Sequence, residues 1–302
     1  MDKLEWLKER QCGIGGSDVG AILGVSKYKT AFEVYLEKTE PITEVGEQSE
    51  SAYFGDIFED VVAKEFEKRT GKKVRRDRKH YKHKEYHFMV ANIDRRVVGE
   101  NAILECKTAN QFLANDWEGE EIPASYLLQV QHYLFVTEAE LGYIAVLIGG
   151  QKFIWKQVQR DEELIEMIIE AENEFWKMVE DKTPPPLDGS SAAEKYLLEK
   201  YSNAEVGKIE ELGLEYKDKI KNLFELKYQK DLLDTQIKEI ENQIKFELKD
   251  AEIGFVPGYS VSWKNVSSNR VDSKKLRVEY PDIYKEVLKE SKSRRFSIKE
   301  DK

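Results

Sequence analysis

Two acids and a lysine, Asp94, Glu105 and Lys107, stand at a spacing that chemistry could use. Residues 88–98 and 102–108 are apolar-rich runs that read as strands, and Gly99-Glu100 between them suits a two-residue type II′ turn. In that register Val98 faces Asn101, Asp94 falls opposite Glu105, and Asn92 falls opposite Lys107. A strand alternates its faces with period two, so these side chains share one face. Directly opposed residues have Cβ atoms about 5 Å apart, where like charges repel. A hard divalent cation would justify two acids in that place, because Mg²⁺ is held by one or two carboxylates together with phosphate oxygens. Lys107 adds a donor for a water or a phosphate. The D…ExK spacing alone also describes the wet face of an ordinary hairpin. Two features favour the chemical reading: the turn register pairs the acids independently of any chemistry, and the flanks (Met89, Val90, Ile93, Ile103, Leu104) look like strands of a central sheet.

The elements that would position this hairpin follow from the rest of the pattern. Residues 51–70 read as an amphipathic helix ending at Gly71, with Phe54, Ile57, Phe58, Val61, Val62 and Phe66 as its buried stripe. Glu59 sits at the edge of that stripe, where an acid needs a partner. It is the candidate for a third carboxylate over the Asp94–Glu105 pair, or else a boundary glutamate reaching water. Upstream, Gly13, Gly15 and Gly16 form a loop, Ser17 is the expected N-cap of a short helix over 18–23, and Thr30 caps a helix over 31–38. A glycine loop feeding a helix start offers free N–H groups to an anion, and Arg10 could add bidentate phosphate contacts. A routine glycine turn explains the loop equally well. Pro123 starts a largely buried helix over 124–137, inside which Gln129 should have a specific hydrogen-bond partner. That partner is either a core network or, in the sharper reading, metal-bound water or the catalytic lysine. Residues 141–148 and 152–158 form a second hairpin across Gly149-Gly150, and 161–181 a long helix. Thr183 and the three prolines after it then mark a boundary.

A chain of 302 residues, 40% hydrophobic and 35% charged, is long enough for a sizeable core and one or two domains. No apolar run has the length of a membrane span, and the N-terminal MDKLEWLKER reads as a charged helix rather than a signal peptide. Cys12 and Cys106 are the only cysteines, so a reduced, cytoplasmic protein is expected and a four-thiolate iron–sulfur cluster is excluded. Cys106 alternates with Glu105 and Lys107 and should face the core. The net charge of −10 counts against nucleic acid only weakly: the basic runs at 72–79 and 291–299 are compatible with a local track, and an enzyme that must release a polymer can concentrate its positive charge in one channel.

The order of motifs is Arg10…Ser17-Asp18, Gly55…Glu59, Asp94…Glu105-Cys106-Lys107 and Gln129-Val130-Gln131. It resembles the phage-type recombination exonucleases, the lambda exonuclease or YqaJ viral recombinase group of the PD-(D/E)XK nucleases. The resemblance covers roughly residues 4–180, and IGGSDVGAILG is nearest the YqaJ type. Ile93 stands where many members carry proline. The resemblance implies an α/β nuclease core, a mixed central sheet flanked by helices. It implies Mg²⁺-dependent 5′→3′ digestion of linear duplex DNA that leaves 3′ overhangs for single-strand annealing, with Mn²⁺ able to substitute and one or two ions per site. Asp94 and Glu105 would hold metal, Lys107 would position or activate water, Glu59 would support metal or water, and Gln129 would orient the site. Arg10 and Ser17 would anchor the 5′ phosphate, with Asn92 beside the DNA. A ring-shaped homotrimer, a single-strand annealing partner and a phage or prophage origin in the bacterial cytoplasm are further implications.

The expected organisation is a nuclease domain over 1–186, a helical hairpin or coiled-coil segment over 187–250, and a small strand–helix appendage over 251–302. In the tail, Ile220, Leu223, Leu226, Leu233, Ile237, Ile240 and Ile244 recur at 3–4 spacing. Oligomer contact, partner docking, a DNA clamp using Trp263, Lys264, Arg270, Arg294 and Arg295, or a plain stabilising appendage all fit it. A structure- or sequence-specific endonuclease and a non-catalytic DNA-binding protein are the rival functions.

Overall fold

The structure, a computed structural model, describes residues 3–42, 49–269, 271–289 and 294–300. Its elements begin with α1 (Lys3–Gln11), β1 (Ile14–Gly15), α2 (Gly16–Ile22), α3 (Ala31–Thr39) and α4 (Glu50–Thr70). Strands β2 (Val74–Arg76), β3 (Tyr81–Lys82), β4 (Met89–Ala91), β5 (Arg95–Val97) and β6 (Ala102–Ala109) follow. A 3₁₀ turn (Gln111–Trp117) leads to α5 (Ala124–Thr137), β7 (Leu141–Ile148), β8 (Lys152–Gln159), α6 (Glu162–Glu180) and α7 (Ser191–Lys200). The chain ends with α8 (Glu215–Leu248), β9 (Ile253–Val256), β10 (Tyr259–Ser262), α9 (Ser273–Glu279) and α10 (Pro281–Val287). Two compact units divide it, Met1–Lys200 and Tyr201–Lys302.

In the first unit the main sheet has the order β2-β5-β6-β7-β8. Every neighbouring pair is antiparallel except β6 and β7, which run parallel. Parallel neighbours need a long crossover, and the 3₁₀ turn with α5 supplies it. This is the mixed sheet flanked by helices that the sequence implies. Period two decides what each face of β6 meets. Ile103 packs with Val130 and Leu134 of α5, whereas Leu104 and Cys106 pack with Val62, Ala63 and Phe66 of α4. Gly142 on β7 is there for close approach: a Cβ would stand 2.5 Å from a methyl of Val130. A third cluster, Ile14, Ala21, Val34, Tyr35 and Phe175, joins β1, α2, α3 and α6. His132 of α5 donates from Nε2 to the Val90 carbonyl (2.9 Å) and meets Glu172 of α6 through Nδ1 (2.8 Å), so a buried polar pair ties α5 to both β4 and α6.

Several expectations are corrected. The single strand expected over 88–98 is broken at 92–94: β4 belongs to a three-stranded sheet with β1 and β3, and only β5 joins the main sheet. The α4 stripe is buried only at its C-terminal end, through Val62, Ala63 and Phe66, while Phe54, Ile57 and Val61 are about half exposed (46%, 47% and 49%). Helix α2 is capped by Gly15, not Ser17, and begins at Gly16. The stretch 187–250 divides. Helix α7 packs on α3, where Tyr196 meets Phe32 edge-on at 5.4 Å between centroids, and belongs to the first unit. The boundary therefore falls at Lys200 rather than at the prolines, because the chain beyond them returns to the core. The remainder is one 34-residue helix, α8, which buries none of its residues. The second unit also contains the β9–β10 hairpin, turning at Gly258 (φ +86°), and the two short helices α9 and α10. Arg270 of the expected clamp, with 290–293, lies outside the described residues.

Candidate active site

The hairpin has the register its turn dictates. Arg95 pairs with Leu104 and Arg96 with Ile103, which continues to Asp94 opposite Glu105. Gly99 at the turn has φ +84°, the conformation that the first loop position of a type II′ turn requires. Asp94 lies one residue beyond the ladder, and its Oδ2 accepts a hydrogen bond from the Cys106 N–H (2.8 Å), which pins the carboxylate to the neighbouring strand. Glu105 is 5% exposed. Its Oε1 accepts from Lys107 Nζ (2.7 Å) and from Gln129 Nε2 (2.7 Å). Gln129 also donates to the Tyr133 hydroxyl (3.0 Å), and Lys107 Nζ stands 5.4 Å from the centroid of the Tyr126 ring. Four residues named from the sequence thus meet on the α5 face, and the buried Gln129 finds its partner in a catalytic candidate.

The electrostatics are those of an under-compensated acid pair. Burial, then Glu105, pushes the Asp94 carboxyl well above the usual carboxylate range, and the Cys106 N–H offsets only part of this. Burial works to discharge Lys107, but Glu105 and then Asp94 outweigh it, so the ammonium is held more firmly than in water. Burial and the two acids push the Cys106 thiol well up, which removes it as a nucleophile. Two buried carboxylates against one ammonium leave an excess negative charge that a divalent cation would neutralise. Among the described residues no three His, Cys, Asp or Glu side chains converge. The donor set therefore fits a hard ion that completes its shell with water and phosphate oxygens, and not a closed four-ligand zinc site.

Glu59 lies beside the Asp94 end of this pair, and its charge helps to raise the Asp94 carboxyl, but its ion pairs are made with arginines. Its Oε1 is engaged by Arg95, which also binds Asp60, and by Arg76 (3.1 Å). Arg95 follows Asp94 directly, so period two turns it to the α4 side, where it meets Glu59. Glu59 still shares a pocket of about 200 Å³ with Arg76, Asp77, Arg78 and Asp94, which places two arginines among the acids on that side of Asp94. Asn92 is exposed and pairs with His80 (Oδ1 to Nδ1, 3.0 Å).

Arg10 and Ser17 do come together, with the guanidinium donating to Ser17 Oγ at 2.8 Å. The residue between them and the core is Asp18, fully buried, which sequence reasoning left without a role. Its carboxylate meets Lys38 (2.8 Å), Arg10 (3.3 Å) and Lys29 (3.6 Å) and accepts from the Gly15 N–H (3.2 Å). The helix start is thus supplied with an acid from within the chain. Gly16 allows this corner to touch the active site, since a Cβ there would lie 2.5 Å from the Tyr133 ring and 3.0 Å from the Gln129 carbonyl. Tyr133 therefore lies between Arg10–Ser17 and Glu105. Tyr126 and Tyr133 carried a signal in the sequence: with Gln129 they form a 3–4 series of polar-tipped residues on an otherwise apolar helix.

The fold around this site is that of an alkaline exonuclease. It resembles LHK-Exo from Laribacter hongkongensis with a TM-score of 0.51 and 17% identity, over 66% of this chain and 98% of that one. The same enzyme in complex with dAMP gives a TM-score of 0.51 and 18% identity over the same shares. Residues 5–140 match the YqaJ-like viral recombinase domain. Over 303 aligned residues the chain is 53% identical to the uncharacterized protein YqaJ of Bacillus subtilis (strain 168), covering 99% of this chain and 95% of that protein. The chain belongs to the YqaJ-like viral recombinase family. No helix among the described residues is long and apolar enough to cross a membrane.

Proposed function

We propose that this chain is a recombination exonuclease that hydrolyses linear duplex DNA from its 5′ ends, with Mg²⁺ or Mn²⁺ held by Asp94 and Glu105. The observation that carries the reading is the pairing of half-buried Asp94 with buried Glu105, with Lys107 and Gln129 on the same Glu105 oxygen. The exonuclease fold and the viral recombinase family support it. A bound ion supplies stabilisation of phosphate charge and a more acidic water. The chain's own residues do the rest. Lys107, held protonated, donates to Glu105 and is placed to donate to a phosphate oxygen or to orient the attacking water; it is not the base. Gln129 fixes the Glu105 carboxylate. Arg10 and Ser17, one tyrosine away, bind the terminal 5′ phosphate. Glu59, tied to Arg95 and Arg76, acts indirectly, through its charge beside Asp94 and by fixing Arg76 at the edge of the site.

The test is linear duplex DNA labelled on either strand, with and without a 5′ phosphate, beside a closed circle. Mononucleotides released from the 5′ end, faster with the phosphate and dependent on Mg²⁺, are the expected result. Cutting of the closed circle would make the protein an endonuclease, and no cleavage of any DNA would end the enzymatic reading.

A further inference from the structure

Helix α8, about 50 Å long at 1.5 Å per residue, holds a regular apolar row out in water. None of its 34 residues is buried, and Leu226, Leu233, Ile237 and Ile240 are 53%, 58%, 53% and 58% exposed. With Leu223 before them and Ile244 after them, these residues keep the alternating 3–4 spacing of a heptad repeat over three heptads. Leu223, Ile237 and Ile244 fall at position a, Leu226, Leu233 and Ile240 at position d, and Lys230 takes the remaining a position. A shorter row, Phe224, Tyr228 and Leu232, gives way to Gln236 and Glu239 and does not continue. A strict a/d row is the narrow seam that another helix covers, whereas a helix lying on a globular core shows a broader apolar face.

We propose that α8 pairs with α8 of a second copy of this chain as an antiparallel coiled coil. The charges beside the seam select that occupant and that direction. In an antiparallel pair each a position faces a d position, and e positions face e positions. Setting Leu223 against Ile240 of the second copy also sets Leu226 against Ile237 and Lys230 against Leu233, which covers the row. The same register brings Lys227 beside Glu241 of the second copy, and symmetry makes that contact twice. Glu241 already meets Lys245 of its own helix at 3.1 Å, and a carboxylate has room for a second cation. Asp234 meets its counterpart on the two-fold axis, where Lys230 of its own helix neutralises it at 2.6 Å. The other flank, Asn222, Gln229, Gln236 and Gln243 at position g, carries no charge to repel its copy. The alternatives are worse. A parallel pair stacks Lys230 on Lys230 within the seam, and a polar residue at a specifies the partner's register in this way. Sliding the antiparallel pair by one heptad sets Asp234 against Glu241 in one direction and leaves Ile240 and Ile244 uncovered in the other. The contact is self-complementary and closes at two chains.

The experiment exchanges the charges. Sedimentation equilibrium of the full chain gives Kd for the twofold association step in wild type, Lys227→Glu, Glu241→Lys and an equimolar mixture of the two variants. Both substitutions lie on the exposed surface of α8 and leave the seam itself intact. Each variant alone turns two attractive contacts into two repulsive ones and should weaken the dimer by about five- to thirtyfold. The mixture should associate as tightly as wild type, because every Lys227–Glu241 contact between unlike chains is then a cation opposite an acid again. In a parallel pair Lys227 and Glu241 would face Asn222 and Gln236, so neither reversal would change Kd and the mixture would gain nothing. Unchanged Kd in both variants therefore overturns the antiparallel seam, as does a mixture no tighter than its components. A wild-type chain with no twofold association step overturns the pairing altogether and leaves the row to a different protein.

Discussion

Two carboxylate centres of the first unit, Asp18 and the Asp94–Glu105 pair, are balanced in opposite directions, while a third, Glu172, is paired with His132. At Asp18 burial pushes the carboxyl up, but Lys38, then Arg10 and Lys29, outweigh it and hold it below the usual carboxylate range. At Asp94 burial and a second acid act together, and the group is held well above that range. Depth is therefore no guide to role, since both acids are taken from water. The difference lies in compensation. Asp18 has three cations and a backbone N–H within 3.6 Å; it is a strut joining α1, α2 and α3. Asp94 and Glu105 have one ammonium, the Gln129 amide and the Cys106 N–H between them, and such a deficit of positive charge in a cleft is what marks a site awaiting charge from outside.

The largest effect expected from this contrast separates activity from stability. Lys107→Ala and Asp94→Asn should each lower the cleavage rate by about 10³-fold, within the range for removing a positioned proton donor or a charge at the reacting centre. In EDTA Asp94→Asn should raise the melting temperature, because one of two opposed acids is neutralised, whereas Lys107→Ala should lower it, because Glu105 loses its cation. A melting temperature that falls with Asp94→Asn would break the comparison.

Asp18→Asn should do the reverse. It leaves Lys38, whose side chain is 1% exposed, buried beside an amide. Breaking a buried pair costs about 3–5 kcal/mol, readable by urea denaturation through tryptophan fluorescence. The double variant Asp18→Asn/Lys38→Met should recover much of that loss. The pH dependence has a definite sign. A carboxyl whose folded pKa is depressed contributes stability that is fully present above the unfolded value, 3.8. The contribution is lost as pH falls from there towards the folded value. The stability gap between wild type and Asp18→Asn should therefore be flat above about pH 5 and close on acidification.

Divalent cations sharpen the contrast from the other side. Mg²⁺ or Mn²⁺ at 100 times its Kd should stabilise the wild type by about 2.7 kcal/mol, read as an upward thermal shift without any DNA present. Asp94→Asn and Glu105→Gln should abolish the shift. Wild type and an Asp18→Asn protein held in its folded range should keep it, since Asp18 already has its cations.

The hairpin was legible in the sequence because two local rules suffice for it: Gly99 fixes the turn, and period two fixes which residues share a face. The crossover helix was legible for the same reason, its apolar run beginning at Pro123. Asp18 was not, because its burial arises from α1, α2 and α3 converging from separate parts of the chain, and nothing in SDVG announces three distant cations. Ser17 has the residue type of an N-cap, but Asp18 reaches back to the Gly15 N–H and Arg10 takes the serine hydroxyl, so the helix starts two residues earlier. Glu59 lies beside Asp94 as its place at the edge of the stripe suggests, but the arginines that hold it are not legible from the helix alone. Its neighbour is Arg95, which the same period-two rule sends to the face opposite Glu105. Helices α6 and α8 show the limit of periodicity: both carry apolar residues at 3–4 spacing, yet α6 buries Ile165, Ile168 and Phe175 and α8 buries nothing.

The smallest effect tests how closely the acid pair is held. Gln129 donates to the same Glu105 oxygen that Lys107 occupies, and its other partner, Tyr133, packs against Gly16 beside Ser17. Gln129→Leu keeps the bulk of the side chain and removes the donor. Partners that orient a ligand are worth about 10–100-fold in metal affinity or activity. The loss should appear in the metal concentration needed for the thermal shift and in kcat, with KM for DNA little changed. If Gln129 served only the core, the variant would instead melt earlier in EDTA and bind metal as before. Ser17→Ala provides the control on the far side of Tyr133: it should raise KM for 5′-phosphorylated ends and leave the metal titration unmoved, because the Ser17 hydroxyl contacts neither Glu105 nor the Gln129 side chain.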